Sequence, residues 1–284
     1  LFLLINCPPL VEPKPQLKSY DSIKAGAEII ESYDIGSIIE YDSSIRDINI
    51  HFSEYKNNYY VIHNEKIFIL DKKNLRKIKE IHLNLSSIYN NLKMFSNRGI
   101  VTFDNKILFS YYLEFTNYSN KSGIFQLDLS GDNFIEKDIS SDFNIKDNFS
   151  SKIGYNRKKQ NIWLLSGTFM ADNKNKYKVN EYSYDVTNDK YFCIFSWDYN
   201  QIVNNAMNIT DDIIWISYLN NSWISEYYIE KYEKNNQNIK LKTINVLYLG
   251  GTLSTPEDIL FDDPYLWIII NKDNKMQLLK LKPL

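Results

Sequence analysis

The stretch Asn161-Ile162-Trp163-Leu164-Leu165-Ser166 has two close counterparts in the chain, Ile213-Ile214-Trp215-Ile216-Ser217-Tyr218 and Tyr265-Leu266-Trp267-Ile268-Ile269-Ile270. The tryptophans are 52 residues apart each time, at positions 163, 215 and 267. Each stretch is apolar, β-branched or aromatic and follows a polar turn, as expected for a buried strand that leaves a hairpin. A strand-based repeat of about 50 residues predicts the blades of a β-propeller.

The rest of the chain extends the repeat to five blades. Sets of short strands are predicted over residues 48–81, 93–139, 152–197 and 206–247, and a last set begins at Pro256. Tyr60 and Leu108 occupy the tryptophan position in the first and second blades. The last set offers only three strands, so Ala27 to Tyr33 is predicted to supply the fourth and to close the ring, which protects the sheet edges.

The predicted fold class is therefore all-β, a β-propeller of five four-stranded blades. Six blades are the alternative, if residues 37–47 or 83–94 contain further strands. Residues 84–97 have a second interpretation, a short helix. Residues 27–284 are predicted to form this single domain.

Composition limits the classes of partner. With 33 Lys and Arg against 35 Asp and Glu, the formal charge is −2, which is too balanced for nucleic acid as the main partner. Tyr (22) and Phe (15) are abundant and suit strands, but an AT-rich genome would enrich them in any fold. A chain of 284 residues needs no disulfide, and Cys193 is predicted to be a small, buried apolar residue.

The first residues have the character of a processing segment. Leu1 to Asn6 is apolar and is followed by Cys7, then by a segment with four prolines between Pro8 and Pro15. Leu4-Ile5-Asn6-Cys7 resembles the lipobox of bacterial lipoproteins, in which the cysteine carries the lipid, although Asn6 departs from the usual Gly, Ala or Ser. The alternative is a buried N-terminal strand with an incidental cysteine.

The resemblance implies a domain division and a location. Residues 1–7 would be the signal-peptide remnant and lipobox, and residues 8–26 a Pro-rich tether. The protein would be exported and held at a membrane by lipid alone, either in the periplasm or at the cell surface.

Candidate binding and metal residues are few. The repeated tryptophan is predicted to pack neighbouring blades together, in preference to forming an aromatic binding ladder. His51 and His63 would lie opposite each other if residues 56–58 form a three-residue turn. No third ligand has a defined spacing, so no metal site is predicted.

The sequence assigns no catalytic residue and no cofactor. It contains no glycine-rich phosphate loop and no nucleophile elbow. A propeller enzyme that uses carboxylates at its axis would require such groups to face one cavity. Asp47, Glu257 and Asp258 are the nearest candidates.

The longest departures from the repeat are connections between second and third strands, which a propeller places on one face. Insertions on one face commonly form a binding surface. Phe115, Tyr118, Phe169 and Trp223 lie in these connections, and large apolar side chains are costly to expose without use. They are the predicted binding residues, although solvated hairpin tips would look the same.

The segment Asp258 to Trp267 resembles the first hairpin of blades in NHL, YVTN and quinoprotein-like propellers of bacteria. The resemblance is architectural and transfers no active residue. The predicted function is a monomeric, lipid-anchored module that binds or scaffolds a protein partner in the cell envelope. One alternative is a propeller enzyme, a glycan hydrolase or cyclotransferase. Another is a propeller that binds a carbohydrate or a small molecule.

Overall fold

The structure is a computed structural model of the chain. It describes residues 24–41, 50–83, 85, 89–117, 119–129, 135–143, 145, 151–156, 158–168, 176–199, 207–210, 212–220, 226–234, 240–250, 255–272 and 275–284. Among these residues, no helix has the length and apolar character needed to cross a membrane.

In the described part of the chain, twenty strands form five antiparallel sheets of four strands each. The first two blades comprise β2 (Ile50–Tyr55), β3 (Asn58–His63), β4 (Lys66–Asp71), β5 (Lys77–His82), β6 (Leu92–Phe103), β7 (Lys106–Phe115), β8 (Asn120–Asp128) and β9 (Ile135–Asp138). The third and fourth comprise β10 (Ser151–Asn156), β11 (Asn161–Thr168), β12 (Lys176–Asp185), β13 (Lys190–Tyr199), β14 (Met207–Ile209), β15 (Ile213–Asn220), β16 (Glu226–Glu233) and β17 (Lys240–Asn245). The fifth comprises β18 (Thr255–Asp262), β19 (Tyr265–Lys272), β20 (Lys275–Pro283) and the N-terminal strand β1 (Ala27–Asp34).

The ring is closed as the sequence predicts. Strand β1 pairs antiparallel with β20, from Ala27 opposite Pro283 to Asp34 opposite Gln277. The innermost strands β2, β6, β10, β14 and β18 contact one another in that order, and β18 contacts β2. Helical turns at Ser140–Phe143 and Leu247–Gly250 lie between blades. The five-bladed prediction is confirmed. Of residues 84–97, Leu85 is helical and its carbonyl accepts a hydrogen bond from the Tyr89 backbone N–H at 2.9 Å, whereas Leu92 to Asn97 is strand.

Five apolar clusters hold the blades together, one between each neighbouring pair. Each cluster contains the third residue of a blade's second strand: Tyr60, Leu108, Trp163, Trp215 and Trp267. All five are buried, with exposed fractions of 5% or less. The tryptophan position is therefore a packing position between blades, as predicted.

The predicted opposition of His51 and His63 is wrong. Tyr55 pairs with Asn58, so the hairpin turn has two residues, and His51 faces Ile62 while His63 faces Ile50. Because side chains alternate along a strand, a turn shorter by one residue sends the two imidazoles to opposite faces of the sheet. Within the described part of the chain, no group of three or more His, Cys, Asp or Glu side chains is arranged to hold a metal ion.

The predicted burial of Cys193 is also wrong. Cys193 is an exposed free thiol. It lies in β13, the outermost strand of the third blade, whose neighbouring side chains Phe192, Ile194 and Phe195 are 45–56% exposed. Apolar sequence alone does not distinguish an outermost strand from an inner one.

Candidate functional site

Titratable side chains from the innermost strands of four blades come together near the axis of the propeller. They are His51 of β2, Arg98 of β6, Lys152 of β10, and Glu257 and Asp258 of β18. His51 Nδ1 lies 3.6 Å from Asp258 Oδ2, and the charges of Lys152, Arg98 and Asp258 all act on His51. Lys152 and Glu257 act on each other. We call these five residues the axial cluster.

Two β-bulges contribute to this convergence. In β18, Pro256 pairs with Ile270 and Asp258 with Ile269, which leaves Glu257 as an extra, unpaired residue. A regular strand would send adjacent carboxylates to opposite faces. A bulge re-aims the extra side chain, so Glu257 and Asp258 both reach the cluster.

The second bulge places Arg98. Asn97 pairs with Tyr111 and Gly99 with Ser110, so Arg98 is the extra residue of β6. Gly99 follows with φ of 155°, and a Cβ at this position would lie 3.0 Å from the backbone nitrogen of Ile153. Glycine therefore allows β6 to approach β10 closely, and Arg98 comes near Lys152.

Asp258 joins the fifth blade to the first. Its Oδ2 accepts a hydrogen bond from the Phe52 backbone N–H at 2.8 Å. Its Oδ1 accepts one from the backbone N–H of Ile259 at 3.0 Å. Two backbone donors fix the orientation of this carboxylate, whose side chain keeps 13% of its surface exposed.

Glu257 is the buried acid of the cluster, with 6% of its surface exposed. Burial raises the pKa of its carboxyl group to about 8, with a smaller contribution from Asp258 and an opposing one from Lys152. Glu257 therefore carries its proton at neutral pH. A carboxylic acid that is still protonated at pH 7 can act as a general acid.

The basic residues give the cluster a positive character. Burial, with a smaller effect of Arg98, lowers the pKa of Lys152 to about 8 against the opposing effects of Asp258 and Glu257, so the amine is mostly protonated at pH 7. Burial also lowers the pKa of His51, which keeps the imidazole neutral. Arg98 and Lys152 are partly exposed, whereas His51 and Glu257 are buried. At neutral pH, the cationic side chains of Arg98 and Lys152 thus lie near the carboxylate of Asp258 and the protonated carboxyl group of Glu257.

Beyond the cluster, the axis of the propeller narrows. A cavity of about 30 Å³ continues between all five innermost strands, lined by residues that include Ser53, Thr102, Gly154, Asn208 and Asp258. This volume holds only a water molecule or two, whereas small-molecule sites usually measure about 300–1,000 Å³. A ligand of the axial cluster larger than water would therefore lie at the mouth of this cavity, on the side of the cluster toward the start of the innermost strands.

The second strands β7, β11 and β15, which precede the predicted binding loops, end at the same face, because each runs back toward the start of its innermost strand. Phe115, at the end of β7, is partly buried and packs edge-to-face on Tyr89, with ring centroids 6.1 Å apart. Tyr118, Phe169 and Trp223 lie outside the described residues, as do Cys7 and Asp47. Their predicted roles stay predictions.

Sequence reasoning identified Glu257 and Asp258 as the nearest axial candidates but missed the basic half of the site. Arg98 and Lys152 lie in innermost strands of the propeller, where a charged residue is already unusual. Gly99 in the middle of a strand was an available signal, because glycine there often marks a bulge.

No family model and no curated protein matches the sequence. Solved structures do match. A GH43_1 enzyme from Xanthomonas citri complexed with xylose has a TM-score of 0.54 at 7% identity, covering 93% of this chain and 92% of that one. An α-L-arabinofuranosidase from Clostridium thermocellum has 0.50 at 14%, covering 82% and 86%. The haemagglutinin-neuraminidase ectodomain of parainfluenza virus 5 has 0.50 at 8%, covering 83% and 69%.

At these identities, the likeness establishes the fold alone. It corrects the expected resemblance to NHL, YVTN and quinoprotein-like propellers, since these structural neighbours include GH43 propeller enzymes. The chain is a five-bladed β-propeller whose fold is similar to that of these enzymes.

Proposed function

We propose that the protein is a glycoside-cleaving enzyme whose active site is the axial cluster, with Glu257 as the proton donor. The observation that carries the proposal is the buried Glu257, held in its protonated form by burial beside the fixed carboxylate of Asp258. This places the enzymatic alternative ahead of the envelope scaffold. Lipid anchoring and binding of a protein partner stay predictions.

The chemistry requires two carboxyl groups with different roles. Glu257 would give its proton to the glycosidic oxygen as the bond between that oxygen and the anomeric carbon breaks. Asp258 would be the second carboxylate. It would attack the anomeric carbon, with retention of configuration, or accept a proton from an attacking water, with inversion. The anomer first released, followed by NMR, would assign its role.

The geometry of the mouth agrees with this function. The narrow axial cavity excludes a sugar but admits water, so a saccharide would lie across the mouth with its scissile bond over Glu257. The structural neighbours include enzymes that act on sugars. Their low identity means that they support the proposal only at the level of the fold.

The test is hydrolysis of a panel of aryl glycosides and oligosaccharides by the full chain. We expect Glu257→Gln to lower kcat by about 10²–10⁴-fold, the usual contribution of a general acid. The activity of the wild type should decline as pH rises through about 8, because Glu257 then loses its proton. Glu28→Gln is the matched control, since Glu28 lies in β1, the outermost strand of the same blade.

Full activity in Glu257→Gln would contradict the assignment of the proton donor. A folded wild-type protein that cleaves none of the panel would contradict the enzymatic proposal itself. In that case the envelope scaffold would again be the leading hypothesis.

A further inference from the structure

The axial cluster contains more positive charge than cleavage of a neutral sugar requires. Proton transfer and the second carboxylate are provided by Glu257 and Asp258. Arg98 and Lys152 have no part in those steps, yet both reach the cluster from neighbouring innermost strands, and each influences the ionisation of His51.

Bringing these two cations together is costly. Arg98 disfavours the charged form of Lys152, in addition to the larger effect of burial, whereas Asp258 favours it. The bulge in β6 that re-aims Arg98 is a departure from regular pairing. Within the cluster, the single negative charge of Asp258 stands against two positive charges partly withdrawn from water, and a bound anion would compensate the second one. The arrangement is that of an anion subsite.

The position of Arg98 favours a planar anion. The guanidinium carbon of Arg98 lies 6.0 Å from the centroid of the Tyr112 ring, within range of a cation–π interaction. Tyr112 is held in β7, opposite Ser96. An arginine supported in this way presents its N–H groups as a preorganised fork, which matches the two oxygens of a carboxylate. Lys152 would add a point charge from the neighbouring strand.

We propose that the saccharide bound at the axial cluster is acidic, with a sugar carboxylate held by Arg98 and Lys152 while Glu257 faces the scissile bond. This inference rests on the glycosidase function proposed above. It names the substrate class as carboxylate-bearing sugars of the uronic acid type. Partial exposure of Arg98 and Lys152 leaves both accessible from the mouth.

The first experiment measures binding and needs no catalysis. Glucuronate and glucose are titrated into the full chain, and the shifts of the sugar resonances are followed by NMR. We expect saturable binding of glucuronate that weakens with added salt, and at least 10-fold weaker binding of glucose. Arg98→Gln should weaken glucuronate binding by about 10- to 100-fold, the usual range for a charge-assisted hydrogen bond. Arg98→Lys should give an intermediate loss, because it keeps the charge and loses the fork.

The matched control is Arg76→Gln, which removes an exposed arginine from the turn between β4 and β5 and should leave binding unchanged. The melting temperature of each variant verifies that it is folded. Equal binding of glucuronate and glucose by the wild type would overturn the inference. Glucuronate binding that does not depend on Arg98 in a folded variant would also overturn it.

The second experiment compares kcat/KM for an aryl glucuronide and the matching aryl glucoside. Arg98→Gln should raise KM for the glucuronide and leave the glucoside within about threefold, because the lost contact is to the carboxylate alone. Cleavage of neutral glycosides that depends on Glu257, with no preference for glucuronides, would overturn the acidic substrate and leave the glycosidase intact. Binding of glucuronate that depends on Arg98, without any cleavage, would overturn the glycosidase and retain the acidic ligand.

Discussion

The blade interfaces and the axis of this propeller follow opposite rules. At each interface, the same position is filled by one large buried side chain, whether tryptophan, leucine or tyrosine. At the axis, equivalent innermost strands carry histidine, arginine, lysine or glutamate, and two of them depart from regular pairing through bulges. The same kind of residue therefore recurs at every interface between blades, whereas the residues at the axis differ from blade to blade.

The contrast separates stability from function. Residues at the interfaces between blades bury apolar surface, and each of them stabilises the fold. The axial cluster does the reverse, because it buries an acid and crowds two cations, both of which cost folding free energy. Features that cost stability and recur at one place are expected at functional sites. The predictions below test this division.

The largest effect is expected at an interface. Trp215 is 1% exposed, and its indole lies 5.9 Å from the Phe261 ring. Trp215→Ala should destabilise the protein by about 3–5 kcal/mol, the usual cost of removing a buried aromatic side chain. The indole Nε1 has no hydrogen-bond partner among the described residues, so Trp215→Phe should cost much less. Chemical denaturation measures both values.

Val186→Ala is the control for this experiment, because Val186 is 80% exposed and its truncation should change stability by less than about 0.5 kcal/mol. A cost for Trp215→Phe equal to that of Trp215→Ala would show that the indole N–H matters more than its volume. Burial of a large apolar side chain would then not explain the stability of the interfaces between blades.

The same division explains what the sequence could predict. The spacing of the tryptophans predicted the number of blades, because it is periodic. The last blade had only three predicted strands, and the missing fourth strand identified β1 as the one that closes the ring. Each of the bulges at Arg98 and Glu257 adds one residue inside a strand. The extra residue changes which side chains face the axis, and the amino-acid sequence does not clearly identify its position. The turn at Lys56 likewise differed from expectation by one residue, enough to place His51 and His63 on opposite faces of the sheet.

Cys193 illustrates a second limit. Its strand is as apolar as a buried one, but β13 lies at the outer edge of its blade, and no local pattern reports how far a strand lies from the axis. Arg98 and Lys152 escaped notice for a related reason. Arg98 and Lys152 belong to different strands, and only the assembled propeller brings each of them near the charges of other blades.

An intermediate effect is expected where the two regions meet. Gly154 of β10 lies against Trp163, and a Cβ added there would come within 2.0 Å of two carbons of the indole. Gly154→Ala must displace the tryptophan and should cost about 1–3 kcal/mol. Gly36→Ala is the control, because its nearest contact would be the Asp34 carboxylate at 3.3 Å.

The second blade shows how to relieve this clash. There the equivalent pair is Val101 opposite Leu108, a smaller side chain on the second strand and a larger one on the innermost strand. Combining Gly154→Ala with Trp163→Leu should therefore cost less than the sum of the single changes, and a double-mutant cycle measures the difference. Simple additivity would show that the clash with the indole is not the cause.

The smallest effect is expected at the axis, with the opposite sign. The ordinary pKa of a glutamate here is 4.5, and burial raises that of Glu257 to about 8. The folded protein therefore binds this proton more tightly than the unfolded chain does. The stability that this proton contributes is complete below pH 4.5 and is lost as pH rises to about 8. Glu257→Gln has no such loss, because its amide stays neutral.

Glu257→Gln should thus equal the wild type in stability near pH 4 and exceed it by about 1–2 kcal/mol near pH 5.5, because each pH unit between 4.5 and 8 costs the wild type up to about 1.4 kcal/mol, as followed by thermal unfolding. The Lys152→Met variant tests the corresponding dependence of stability on pH at a basic residue of the cluster. Burial lowers the pKa of Lys152 from 10.5 to about 8, so the gain from removing its charge should be complete below pH 8 and fade toward pH 10.5. If both variants were less stable than the wild type at every pH, the cluster would be a stabilising network, and its charges would need no functional explanation.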